Sequence, residues 1–127
     1  MCRLGRTSRT TSRAEPQLID LAHLARYTGG EARLDAELLE LFSAQTAAMV
    51  ERLETALERP DALAWREVTH SLKGAANGVG AFALGEAAAD AESVDPAIEP
   101  RQAVEAFHAV KRCACVVSSF IDAYLGR

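Results

Sequence analysis

The stretch from Thr69 to Ala81, with the residues just before it, carries two stripes of opposite character at one helical period. Trp65, Val68, Leu72, Ala75 and Val79 recur at spacings of three and four, which is the signature of a helix face turned to a core. Arg66, His70, Lys73 and Asn77 recur with the same period but out of phase. A strand cannot satisfy both stripes, since its side chains alternate with period two. The segment therefore reads as an amphipathic helix with His70 facing solvent. Lys73 and Gly74, three and four residues on, are its neighbours on the helix surface. That stripe sets a titratable nucleophile beside a fixed positive charge and a position with no side chain.

The rest of the chain extends the helical reading. A short helix is predicted over 18–27, ending at Thr28-Gly29-Gly30, because glycine is a natural C-terminal stop. A long helix follows over 33–58, with Leu34, Leu38, Leu41, Phe42, Met49, Leu53 and Ala56 as its inner face. Its glutamates Glu37, Glu40, Glu51, Glu54 and Glu58 read as a solvated face. Pro60 ends it, and Asp61 is placed to cap the His70 helix, predicted over 61–77 and closing at Gly78 and Gly80. An alanine-rich helix is predicted over 82–94. Its small side chains allow close backbone approach and keep the ground beside His70 flat. Asp95-Pro96 and Pro100 punctuate the next connection. The last helix, over 100–124, is expected to bury Val104, Phe107, Ala114, Val117, Ile121 and Tyr124. Four long helices with short connections imply an all-α fold, an antiparallel up-down four-helix bundle with an additional short N-terminal helix.

Composition narrows the function classes. The 127 residues are enough for one core, and 49% of them are hydrophobic while only 6% are aromatic, which favours close helix packing. No apolar run reaches about 18 residues, so no transmembrane helix is expected. The net charge of −4 is uneven: Arg3, Arg6, Arg9 and Arg13 stand in an acid-free opening, leaving −8 on the remainder. An acidic body argues against nucleic acid as a partner. Residues 1–15 are Arg-, Ser- and Thr-rich and too polar to fold alone, so they are read as a disordered tail ahead of a domain over 16–127. The opening lacks the apolar segment of a secretory signal, and its composition also overlaps that of an organellar transit peptide. Cys113 and Cys115, two apart on a helix, share no face, and with Cys2 they make a poor disulfide framework and a poor zinc site. Free thiols and a cytoplasmic location follow as expectations.

The sequence His70-Ser71-Leu72-Lys73-Gly74-Ala75-Ala76, followed by Gly80-Ala81 and Leu84, resembles the signature of histidine-containing phosphotransfer (HPt) domains. The likeness runs from about Leu18 to Tyr124. It takes in Leu18, Asp20 and Leu21, then Gly29-Gly30, then the run Glu37-Leu38-Leu39-Glu40-Leu41-Phe42. Two places depart from the family pattern. Asn77-Gly78 stands where the family commonly has glycine followed by a small polar residue, and Glu92 stands where some members carry a glutamine that reaches the phosphohistidine. The glutamine's contact therefore does not carry over.

The resemblance implies a phosphocarrier of a two-component phosphorelay. His70 would be the phosphoacceptor, attacking through its ε nitrogen an aspartyl phosphate on a receiver domain and passing the group to another receiver. A neutral imidazole, of reference pKa about 6.5, is a competent nucleophile for this. Lys73 would offset phosphoryl charge and disfavour a charged ring beside it, and Gly74 would admit the partner. Glycine inside a helix gives up roughly 1 kcal/mol against alanine, so a glycine beside the nucleophile suggests a need for space; close helix packing is the other explanation.

No phosphate-binding loop and no acidic cluster occur in the chain. No bound cofactor or metal is expected, and the Mg²⁺ of the reaction is expected on the receiver. Autonomous kinase activity is not expected. Partners would be response-regulator receiver domains and a hybrid or separate histidine kinase, met by a monomer, with no membrane. His23 and His108 read as surface or boundary residues, and a metal site shared by His23, His70 and His108 is not expected. Two other readings are a helical docking module that binds a receiver or kinase without transferring phosphate, and a fragment of a histidine kinase. The apparent completeness of the chain argues against the second.

Overall fold

The computed structural model describes residues 18–127, and every regular element among them is an α-helix. They are α1 (Leu21–Thr28), α2 (Ala32–Glu58), α3 (Ala62–Val79), α4 (Phe82–Glu92) and α5 (Pro100–Leu125). The expected tail over 1–15 lies outside the described residues.

Each boundary has a local cause. The Asp20 carboxylate accepts the His23 N–H at 3.0 Å, so α1 begins three residues later than the sequence reading placed it. Gly29 closes α1 in the left-handed conformation, at φ +70°. Asp61 caps α3 as expected, accepting the Ala64 N–H at 3.1 Å. Gly80, at φ +89°, ends α3, and Gly78 lies inside the helix instead of at its end. Pro100 occupies the first turn of α5, where its missing N–H leaves no bond unmade.

Packing follows a ring: α2 lies against α3, α3 against α4, α4 against α5, and α5 against α2, while α1 rests on α2 and α3. The buried positions explain the ring. On α2 they are Asp35, Leu39, Phe42, Thr46, Leu53 and Ala56, and on α5 Ala103, Phe107, Val110, Ala114, Val117 and Ile121. Both sets step by three and four, with one seven-residue step in α2 from Thr46 to Leu53, the seam of helices packed nearly side by side. Trp65, Val68, Leu72, Ala76 and Val79 supply the same seam on α3. Leu84, Ala88 and Ala91 on α4 are fully buried, and Gly85 beside them takes the Asn77 side chain of α3 against its backbone.

Four expected core residues fall elsewhere. Leu34 and Leu41 are exposed because each stands one position before the true seam, at Asp35 and Phe42. Val104 is likewise one place past Ala103, and Tyr124 sits in the last turn of α5, beyond the packed part of the ring. The seam of α2 admits two polar residues. Asp35 meets the Thr28 hydroxyl at 2.5 Å, tying α2 to the end of α1. Thr46 Oγ1 has no hydrogen-bond partner.

Cys113 is a free thiol, held above its usual range by burial.

Candidate functional site

α3 carries His70 and Lys73 on the face opposite its core seam. The seam residue Leu72 is fully buried, whereas the His70 side chain is 70% exposed. The phase reading of the sequence therefore holds. Lys73 is partly covered, because it leans toward α4.

What it leans on is Glu92, the last residue of α4. One Glu92 oxygen, Oε1, lies 2.9 Å from Lys73 Nζ, and the other, Oε2, lies 3.1 Å from His70 Nδ1. A single carboxylate thus joins the histidine to the lysine. Glu92 occupies the place of the family's glutamine, whose contact was not carried over; here the unphosphorylated ring meets a carboxylate. Its ionised form is favoured, chiefly by the hydrogen bond from Lys73 and further by that from His70, and its pKa is lowered from the ordinary value of 4.5. Burial works against this and is outweighed.

The geometry also fixes which ring nitrogen is available. An ionised carboxylate accepts hydrogen bonds and cannot donate them. The 3.1 Å contact therefore requires the proton on Nδ1, which leaves Nε2 with the free lone pair in the neutral ring.

The position of Glu92 rests on buried anchors. Trp65 Nε1–H donates to the Ala91 carbonyl at 2.8 Å, fixing the end of α4 against α3 one residue before Glu92. Ser93 Oγ closes the same turn on the Asp90 carbonyl at 2.8 Å. An acid at a helix C-terminus opposes the helix dipole. Here the cation of Lys73 offsets it.

Gly74 follows His70 by one turn and is exposed; a Cβ built there meets nothing within 4 Å. Close intramolecular packing does not account for this glycine. Gly78, a further turn along, is equally open. His70, Gly74 and Gly78 thus form a strip without bulk beyond the imidazole. The strip leads to an apolar groove of about 380 Å³ lined by Tyr27, Leu38, Leu41, Ala75, Gly78 and Val79. Exposed Tyr27 and Phe82 both pack edge-on against His23, at 5.8 and 5.3 Å between ring centroids. Leu41, misplaced by the sequence reading as core, is part of this outer surface.

His108 lies beside Phe107 on α5, at 5.6 Å between rings. Among the described residues, no group of three His, Cys, Asp or Glu side chains is placed to hold a metal ion. No described helix is long and apolar enough to cross a membrane.

With this geometry in place, comparison with known families gives one assignment. The sequence model of the Hpt domain matches residues 37–112, which hold most of α2, all of α3 and α4, and the first half of α5. The chain belongs to the Hpt domain family, whose members serve histidine phosphotransfer in two-component systems. No curated protein and no solved structure matches it.

Proposed function

We propose that this chain is a phosphorelay carrier in which His70 takes a phosphoryl group from a receiver-domain aspartyl phosphate and gives it to a second receiver. The observation that carries this reading is the Glu92 carboxylate on His70 Nδ1, which leaves a solvent-facing Nε2 as the nucleophilic atom.

The residues divide the work as follows. Nε2 attacks phosphorus in line with the departing aspartate oxygen. The phosphoryl oxygens carry negative charge through the transfer, and stabilising them is the main catalytic demand. Lys73 has three N–H donors, of which Glu92 engages one. The others are free to reach a phosphoryl oxygen once the partner is docked. The open strip of Gly74 and Gly78 lets the partner's backbone come close, and the apolar groove beyond gives it a surface to bury. The receiver supplies the Mg²⁺ and the remaining charge stabilisation.

The ring of α2 to α5, with short connections, is read as an antiparallel up-down bundle, whose rigid packing holds the three side chains in register. Residues 16–127 form the domain in this reading, which acts as a monomer in the cytoplasm.

The test is phosphotransfer from a panel of phosphorylated receiver domains, with His70→Gln beside the native chain. Transfer to the native chain by at least one receiver, and none to the variant, supports the reading. Stable receiver binding without transfer from any of them would assign the surface to docking alone.

A further inference from the structure

We propose that Asn77 is a specificity-determining residue for the receiver: laid against the backbone of Gly85, it presents the N–H donors of its carboxamide to an oxygen acceptor of the docked partner. This rests on the phosphotransfer reading and adds a chemical feature that the partner must carry.

Asn77 lies where a partner must cover it. It follows His70 by seven residues, two turns of α3, and so stands on the same stripe about 10 Å along the helix axis. A standard protein interface covers about 800 Å² of each partner, a disc of roughly 16 Å radius. A receiver that delivers a phosphoryl group to His70 therefore reaches Asn77 as well. Asn77 is exposed, and it flanks the open strip of Gly74 and Gly78 on the side of α4.

The conformation of its side chain comes from α4. Asn77 and Gly85 stand four residues either side of Ala81. A Cβ added to Gly85 would fall on the Asn77 carboxamide, closest to Oδ1, with Cγ at 2.8 Å and Nδ2 at 3.2 Å. The three atoms nearest to that Cβ all belong to Asn77, so the space left by the glycine is taken by this one side chain. Oδ1 is turned toward α4, and the amino group lies farther from it. Packing alone does not call for this pair, since alanine is the better helix former at both positions. Hydrogen bonding within the chain does not call for it either: among the described residues, the Asn77 carboxamide has no partner.

In the free chain water satisfies the carboxamide. Under a docked partner that water is lost, and a buried N–H left unpaired is costly. A receiver with an oxygen at this point restores the bond, whereas one with an apolar group or a second donor does not. Asn77 thus discriminates among receivers that could all reach His70. Gly85 is buried beneath it and is a positioning residue, acting on the partner only through Asn77.

The experiment measures single-turnover transfer from the panel of phosphorylated receivers to the full chain and to Asn77→Asp, Asn77→Ala, Gly85→Ala and the double variant Asn77→Ala/Gly85→Ala. Circular dichroism verifies folding. Each rate is set against labelling of His70 by phosphoramidate, a small phosphoryl donor that needs no receiver. Asn77→Asp keeps the shape of the side chain and exchanges its donors for a charged acceptor. Transfer from the receiver that serves the native chain best should fall about tenfold in Asn77→Asp, and the order of preference within the panel should change. Gly85→Ala drives the carboxamide up into the path of the partner. It should lower transfer by a similar factor, yet change nothing once Asn77 is alanine. Native rates and preferences in Asn77→Asp, the result of a purely spatial role, would overturn the inference even where Gly85→Ala fails to fold. So would a Gly85→Ala effect of equal size in both backgrounds. A native chain labelled by phosphoramidate but loaded by no receiver would overturn the phosphotransfer reading, and the inference with it.

Discussion

His70 and Glu92 meet across the α3–α4 packing, 3.1 Å apart from Nδ1 to Oε2, although 22 residues separate them in the chain. The pairing follows from the turn. Gly80 and Ala81 join the two helices, and both residues stand the same number of positions from Ala81, one before and one after. When a helix folds straight back on its predecessor, residues equidistant from the turn come level. The pair sits on the outer side of a contact whose inner side is Trp65 against Ala91.

The carboxylate of Glu92 should titrate below the ordinary glutamate value of 4.5. A folded-state pKa that is lowered stabilises the fold above the unfolded value, and this contribution is lost as pH falls through the folded one. Carbon NMR of the carboxyl group checks the midpoint. Lys73→Met should move it upward, since the lysine hydrogen bond is the largest cause of the lowering.

Gly74→Ala should separate stability from function. Nothing lies within 4 Å of the added methyl, so the helix should gain up to about 1 kcal/mol. Transfer from a receiver should fall on the order of tenfold, because small displacements of reacting atoms are costly. Labelling by phosphoramidate should change little. Thermal denaturation and single-turnover transfer measure the two arms.

Gly80→Ala should act in the opposite sense on stability. Gly80 has φ +89°, and a Cβ there would stand 2.8 Å from the Asp20 carbonyl oxygen. The Gly80 carbonyl also accepts the Asp20 N–H at 2.9 Å, so the backbone cannot simply move away. A loss of about 1–3 kcal/mol is expected in urea titrations.

Thr46→Val should stabilise the bundle by about 1 kcal/mol, since it removes a buried hydroxyl that makes no hydrogen bond and keeps the shape of the side chain. The same urea titrations, with an unchanged slope, would show it.

Much of this arrangement was legible in the sequence. All five helices lie close to their expected positions, because Gly29, Asp61, Gly80 and Pro100 punctuate the chain by chemistry that acts locally, whereas the Asp20 cap that starts α1 was not anticipated. The outward phase of His70 was legible too, since the periodicity of α3 is unambiguous. The phase of α2 was not. Counting apolar residues drew Leu34 and Leu41 inward, whereas the seam runs through polar Asp35 and Thr46. Asp35 is tolerated there only because Thr28, on another helix, bonds to it. Glu92 was marked by the family resemblance as the place of a glutamine contact, but its own contact with His70 was not expected. Its contact depends on a partner across a turn, which local periodicity does not report. Its distance from Ala81, equal to that of His70, was a second signal beside the family position.

Locating the phosphoryl group on the loaded chain decides whether His70 carries it. The chain is loaded from a phosphorylated receiver and examined by nitrogen and phosphorus NMR with selectively labelled histidine, followed by mass mapping at neutral pH. An acid-labile phosphate is expected on Nε2 of His70 alone, with the proton on Nδ1, and none in His70→Gln. Phosphate on Nδ1, or on His23 or His108 with His70 unmodified, would contradict it.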